Sequence, residues 1–159
     1  MSWRRFHKIE ETRADVSRES LYGPTLYKIA AYSAREHGNS EFVYDGTRRM
    51  SFAQLKAASE ILCAKLSGMG LGEQDVAFVC IPNWVEFVQT YAAVSACGAI
   101  LAVVPADTKR VRMGEIVALV NPKVVFVVLE EQLDALDDVG YEGPVIGVRL
   151  HDERCIPYE

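Results

Sequence analysis

From residue 76 onward the chain alternates between short, wholly apolar runs and longer amphipathic stretches. The run Val76-Ala77-Phe78-Val79-Cys80-Ile81 shows no alternation of polar and apolar positions. A strand that is apolar on both faces must be covered on both, as in a parallel sheet. Pro82 has no amide hydrogen and ends the ladder there. Two more buried strands of this kind are predicted at Ile100-Leu101-Ala102-Val103-Val104, before Pro105, and at Val124-Val125-Phe126-Val127-Val128. A fourth is predicted at Val145-Ile146-Gly147-Val148, after the turn at Gly143-Pro144.

Helical patterns separate these runs. Asn83, with Glu86 three residues on, reads as a helix start, and the stretch from Trp84 to about Ala96 is apolar around most of its circumference. Gly98 ends it. Lys109 to Val120 predicts a helix with Val111, Ile116, Leu119 and Val120 facing inward, closed by Asn121-Pro122. Glu130 to Val139 predicts an acidic helix.

Two earlier helices are also legible. Thr25 caps one whose narrow apolar face holds Leu26, Ile29, Ala30, Ser33 and Ala34, with Gly38 at a left-handed end. Ser51 and Gln54 form a capping-box pattern for the second, which carries Leu55, Ala58, Leu62 and Leu66 and ends at Gly68 and Gly70. Between them Glu41-Phe42-Val43-Tyr44-Asp45 alternates as a strand and Asp45-Gly46 is a turn signal. Strand and helix thus alternate, which predicts right-handed crossovers and a three-layer α/β domain with a mostly parallel sheet flanked by helices. Residues 1–22 lack a sustained period and read as an N-terminal arm, 23–150 as the α/β unit, and 151–159 as a tail.

Composition narrows the chemistry. The 159 residues carry a net charge of −5. The basic clusters Arg4-Arg5…Lys8, Arg48-Arg49 and Lys109-Arg110…Arg112 are short and stand near acidic residues, which argues against nucleic acid as a partner. Cys63, Cys80 and Cys97 lie within apolar runs, and no two of the four cysteines, Cys155 included, make a C-x-x-C pair. That usage suggests a reducing compartment and a cytoplasmic protein. The start Ser2-Trp3-Arg4-Arg5-Phe6-His7-Lys8 resembles a twin-arginine signal, but charged residues follow it instead of an apolar stretch. The nearly charge-free run Phe87 to Val104 is broken by Gly98 and reads as helix then strand, so no membrane span is expected.

Candidate reactive residues each have a plainer reading. His7, His37 and His151 are isolated and read as surface side chains, and no spacing suggests zinc. Ser67-Gly68-Met69-Gly70 ends a helix instead of linking strand to helix, unlike a nucleophile elbow. Glu130, Glu131, Asp134, Asp137 and Asp138 read as a solvated helix face before a cation site. Trp84 stands after a strand, where open α/β sheets bind ligands, although its place at a helix start favours packing.

Four motifs in order carry a resemblance. Ser51-Phe52-Ala53-Gln54-Leu55, Gly70-Leu71-Gly72-Glu73-Gln74-Asp75, Pro82-Asn83-Trp84-Val85-Glu86-Phe87 and Cys97-Gly98-Ala99 stand on matching elements. Together, over Thr25 to Val128, they resemble the N-terminal part of the adenylate-forming (AMP-binding) superfamily, acyl-CoA synthetases among them. The chain departs from the pattern in three places. Gln74 replaces a glycine, Pro105 falls two residues later than usual, and Glu115-Ile116 only approximates a Glu-Leu pair. The last two concern the loop geometry of 103–114.

The resemblance implies a parent enzyme that uses ATP and Mg²⁺ to form an acyl-adenylate and then passes the acyl group to coenzyme A. It also implies a Ser/Thr/Gly-rich phosphate loop ending Pro-Lys-Gly, and nothing between residues 1 and 159 approximates one. Gly143-Pro144-Val145-Ile146-Gly147 lacks the hydroxyls and the lysine. The expectation is therefore an N-terminal scaffold fragment of an acid–CoA ligase, inactive alone, with no catalytic, cofactor-binding or metal-binding residue nominated. The expected partner is the remainder of the ligase, or a second copy. The acyl substrate stays open, because pocket residues in the superfamily come mainly from later segments. Two rival readings stand beside it: a standalone interaction module or split-enzyme subunit, and a flavodoxin-like nucleotide-binding domain.

Overall fold

The computed structural model describes residues 25–158, so the expected arm at 1–22 and its His7 lie outside the described residues. The chain forms α1 (Leu26–His37), β1 (Glu41–Tyr44), β2 (Arg49–Ser51), α2 (Phe52–Gly68), β3 (Val76–Val79) and α3 (Val85–Ala96). It continues through β4 (Ile100–Val103), α4 (Arg110–Val120), β5 (Val124–Val127), α5 (Glu130–Asp138), β6 (Val145–Gly147) and β7 (Ile156–Pro157). The four expected apolar strands are present. They lie in one sheet of order β4-β3-β5-β6-β7, and every pair in it is parallel.

Given that order, crossover handedness sets which face each helix covers. The step from β3 to β4 goes one way across the sheet, and the steps β4 to β5 and β5 to β6 go the other. Right-handed connections in opposite directions must put their helices on opposite faces. Accordingly Ala77, Val79, Val124 and Phe126 pack with Leu62 and Leu66 of α2 and Ala93 and Val94 of α3. The alternate residues Phe78, Val125 and Val127 pack with Met113 and Val117 of α4 and Leu133 and Leu136 of α5. Phe78 and Phe126 are fully buried on opposite faces, each burial stabilising by about 1.5–3 kcal/mol.

Local signals held where short-range chemistry sets the ends. Thr25 accepts from the Lys28 amide, and Ser51 and Gln54 form the reciprocal capping box. Asn121 closes α4 in a left-handed conformation. The Asp45-Gly46 turn is held by the Asp45 carboxylate, which accepts from the Thr47 and Arg48 amides.

Several expectations need correction. Gly38 continues the right-handed backbone (φ −48°) instead of turning left, and its carbonyl accepts from the Ala53 amide. The strand at Ile100–Val103 is not buried: as the sheet's edge it leaves Ile100 and Val103 about half exposed. In α4, Val111 and Leu119 face outward, 74% and 83% exposed, while Met113, Gly114 and Val117 face the core. Two strands were not expected. β2 pairs antiparallel with β1, and β7 lies within the supposed tail of 151–159. Tyr158 just beyond β7 is buried, edge-on to Phe126 at 6.3 Å, and its hydroxyl donates to the Glu86 carbonyl. Among the described residues no helix is long and apolar enough to cross a membrane.

Candidate functional site

In an open α/β sheet, ligands bind outside the carboxyl ends of adjacent strands whose following connections leave for opposite faces. Here those strands are β3 and β5, since α3 and α5 cover opposite faces. The Gln132 side chain, in the first turn of α5, fills that position. Its amide nitrogen donates to the Cys80 carbonyl at 3.2 Å and the Ala106 carbonyl at 2.9 Å, and lies 3.1 Å from Cys80 Sγ. Its oxygen accepts from the amides of Val128 (2.7 Å) and Leu129 (3.1 Å). One buried side chain thus ties together the ends of β3, β4 and β5, and both of its polar atoms are satisfied. Burial pushes the neighbouring Cys80 thiol up to about 12, with Asp107 adding to it, so Cys80 stays protonated and unreactive at neutral pH.

A second polar group lies at the same carboxyl edge. Asn83, the expected cap of α3, is exposed and bonds nothing there; Trp84 holds the N-cap position without a side-chain cap. The capping acceptor comes from far away in sequence, because Asp45 Oδ2 receives the Val85 amide at 3.3 Å. Glu86, in the first turn of α3, has a side chain only 3% exposed. It accepts from Arg48 Nη1 at 2.8 Å and from Arg149 Nε and Nη2 at 2.9 and 2.8 Å. Arg149 Nη2 also donates to Asp45 at 2.6 Å, and its guanidinium stacks 4.3 Å over the Trp84 ring.

Two cations thus meet two buried carboxylates, and the fork geometry of Arg149 serves both. The amides of Arg48 and Thr47, with Arg149 behind them, hold the Asp45 carboxyl far below the usual carboxylate range. Glu86, first of its partners, keeps Arg149 firmly protonated. Arg149 adopts a left-handed backbone (φ +54°) to reach this position.

This arrangement can lock β3, α3, β6 and the β1–β2 turn together, but it offers no phosphate cradle. Its cations already face carboxylates, and Gln132 takes the crevice. Among the described residues, neither of these two groups offers a place for ATP with Mg²⁺. Trp84 is a stacking platform as the sequence allowed, but its guest is Arg149.

Three of the flagged carboxylates on α5 are paired with arginines. Asp134 and Asp138 pair with Arg110 at 3.1 and 2.6 Å, and Asp134 and Asp137 with Arg154 at 2.9 and 3.1 Å. Among the described residues no group of three His, Cys, Asp or Glu is placed to hold a metal ion. His37 and His151 are exposed, and Ser67 ends α2. Sequence reasoning found Glu86 inside a motif but missed Asp45, Gln132 and Arg149 as its companions at this edge. Their only signals were a turn aspartate, a polar residue within a helix start, and an arginine just after a predicted strand.

The sequence profile of the family described as AMP-binding enzyme matches residues 30–156. No curated protein matches the sequence. Among solved structures, a protein described as a long-chain-fatty-acid CoA ligase from Rhodopseudomonas palustris is 21% identical, with a TM-score of 0.76 over 87% of this chain and 36% of its own. The luciferase-like enzyme of the nonluminescent mealworm Zophobas morio is 18% identical, TM-score 0.72, over 82% and 32%. A benzoate CoA ligase from Burkholderia xenovorans is 10% identical, TM-score 0.74, over 79% and 26%. At such identities the likeness is one of fold. This chain spans between about a quarter and just over a third of those proteins.

Proposed function

The chain belongs to the AMP-binding enzyme family, and from that premise we propose that it is the N-terminal scaffold of an ATP-dependent acid–CoA ligase, inactive alone. The parent reaction would join a carboxylic acid to AMP from ATP and then exchange AMP for coenzyme A. The observation that carries the scaffold role is the plugged switch point: Gln132 satisfies both of its amide atoms inside it. The solved relatives described as CoA ligases support the acid–thiol chemistry. The four free thiols support a reducing compartment such as the cytoplasm. ATP–pyrophosphate exchange with a panel of carboxylic acids tests the reading. The isolated chain gives no acid-dependent exchange, and exchange by the pure chain overturns it.

A second reading, a standalone interaction module or split-enzyme subunit, draws on the open edge at β4. Its outer backbone groups have no strand partner among the described residues, and Ile100 and Val103 are half exposed beside it. Such an edge favours docking, whether the partner is the remainder of a ligase or a second copy. Sedimentation across a range of concentrations separates the outcomes, since strict monomer behaviour at high concentration counts against self-association.

A further inference from the structure

Two cysteines far apart in sequence meet where α2 packs against the end of α3. Cys63 Sγ on α2 and Cys97 Sγ, at the C-cap of α3, lie 2.8 Å apart. Neither residue is fully buried, and both are free thiols. Cys97 Sγ also contacts the Cys63 carbonyl at 3.6 Å and the exposed Ser67 hydroxyl at 3.8 Å. A disulfide needs its sulfurs at about 2.05 Å, so the pair lacks less than about 1 Å of closure. The remaining thiols are set apart: Cys80 is buried against Gln132 and the Pro105 carbonyl, and Cys155 Sγ is directed at the Asp152 carbonyl.

We infer that Cys63 and Cys97 form a reversible dithiol–disulfide site that takes small-molecule disulfides, such as glutathione disulfide, as its oxidant. Burial, then the adjacent Cys63 thiol, pushes the Cys97 thiol up to about 12. Cys97 Sγ is held against the Cys63 carbonyl and the Ser67 hydroxyl, which leaves Cys63 the first nucleophile and Cys97 the resolving thiol. The Cys63 sulfur attacks one sulfur of the small disulfide. That S–S bond breaks, and one small thiol leaves with the Cys63 proton. Cys97 then attacks the Cys63 sulfur of the mixed disulfide, and the second small thiol leaves with the Cys97 proton. The protein gives up two electrons and two hydrogens, and the small disulfide is reduced to two thiols.

The bond staples α2 to α3 next to Gly98, whose left-handed turn (φ +73°) leads into the edge strand β4. In a reducing compartment such a bond is transient and responds to oxidant, which suits a sensor better than a structural link.

The test uses the reduced chain treated with glutathione disulfide, followed by peptide mapping and thermal unfolding. The expected product links Cys63 to Cys97 within one chain and has lost two hydrogens in mass. Its melting temperature rises by roughly 5–10 °C, and dithiothreitol reverses the shift. Cys63→Ser and Cys97→Ser each abolish the link, and the Cys80→Ser/Cys155→Ser double variant retains it. The inference is overturned if all four thiols stay free, if glutathione stays on Cys63 unresolved, or if the link formed joins other cysteines or separate chains.

Discussion

Gln74 stands where the resemblance pattern has a glycine, and its backbone keeps the glycine-like geometry at φ +65°. A side chain in that region is strained by about 1–2 kcal/mol, part of which glycine would give back as freedom of the unfolded chain. Gln74→Gly should therefore stabilise the fold by about 0.5–1 kcal/mol, measured as a shift in urea midpoint at constant slope. The departure was legible in the sequence, because a turn motif dictates the backbone at each of its positions. The partnership of Asp45, Glu86 and Arg149 was not, since Arg149 lies 63 residues beyond Glu86 and only the folded sheet brings them together.

Asp45 makes that partnership pH-sensitive. Its folded pKa is depressed, first by the Arg48 and Thr47 amides and then by Arg149. Its contribution is thus fully present above the unfolded value of about 4, and falls away as pH drops toward the folded one. Stability should decline below about pH 4, and Asp45→Asn should flatten that decline in denaturation series run at successive pH values. Asp138 shifts the same way under Arg110, but that pair is largely solvent-exposed and contributes little.

Helix α4 shows where element-level reading failed. Val111, Met113, Ile116, Val117, Leu119 and Val120 are spread so widely around it that more than one inward face satisfies helical periodicity. Gly114 breaks the tie: a Cβ there would sit 2.9 Å from Val139 Cγ1 and 3.4 Å from the Ala135 carbonyl, so α5 can approach only this side. Counting apolar side chains misses a position whose value is having none. Met113→Ala should cost about 2–5 kcal/mol, whereas Leu119→Ala should stay within about 0.5 kcal/mol, compared by chemical denaturation. The missed strands have a related cause. β2 has three residues and β7 two, too short to display a period, and each exists because a neighbouring strand supplies its hydrogen bonds.

At the scale of the molecule, three unalternating apolar runs separated by helices sufficed to foresee a parallel, three-layer α/β architecture. Strand order was not foreseeable, because either direction of the first crossover buries the same residues. Only the assembled sheet shows β4 at its edge and the switch point between β3 and β5. That position is also where a nucleotide-binding domain of flavodoxin type would hold its ligand, and here a glutamine bonded on both sides fills it. The central claim is that this part of an AMP-binding enzyme supplies support and no nucleotide site of its own. Titration of the isolated chain with Mg²⁺–ATP in a calorimeter tests it most directly. No saturable heat is expected, and a saturable isotherm of one ATP per chain would show that the domain holds a nucleotide site after all.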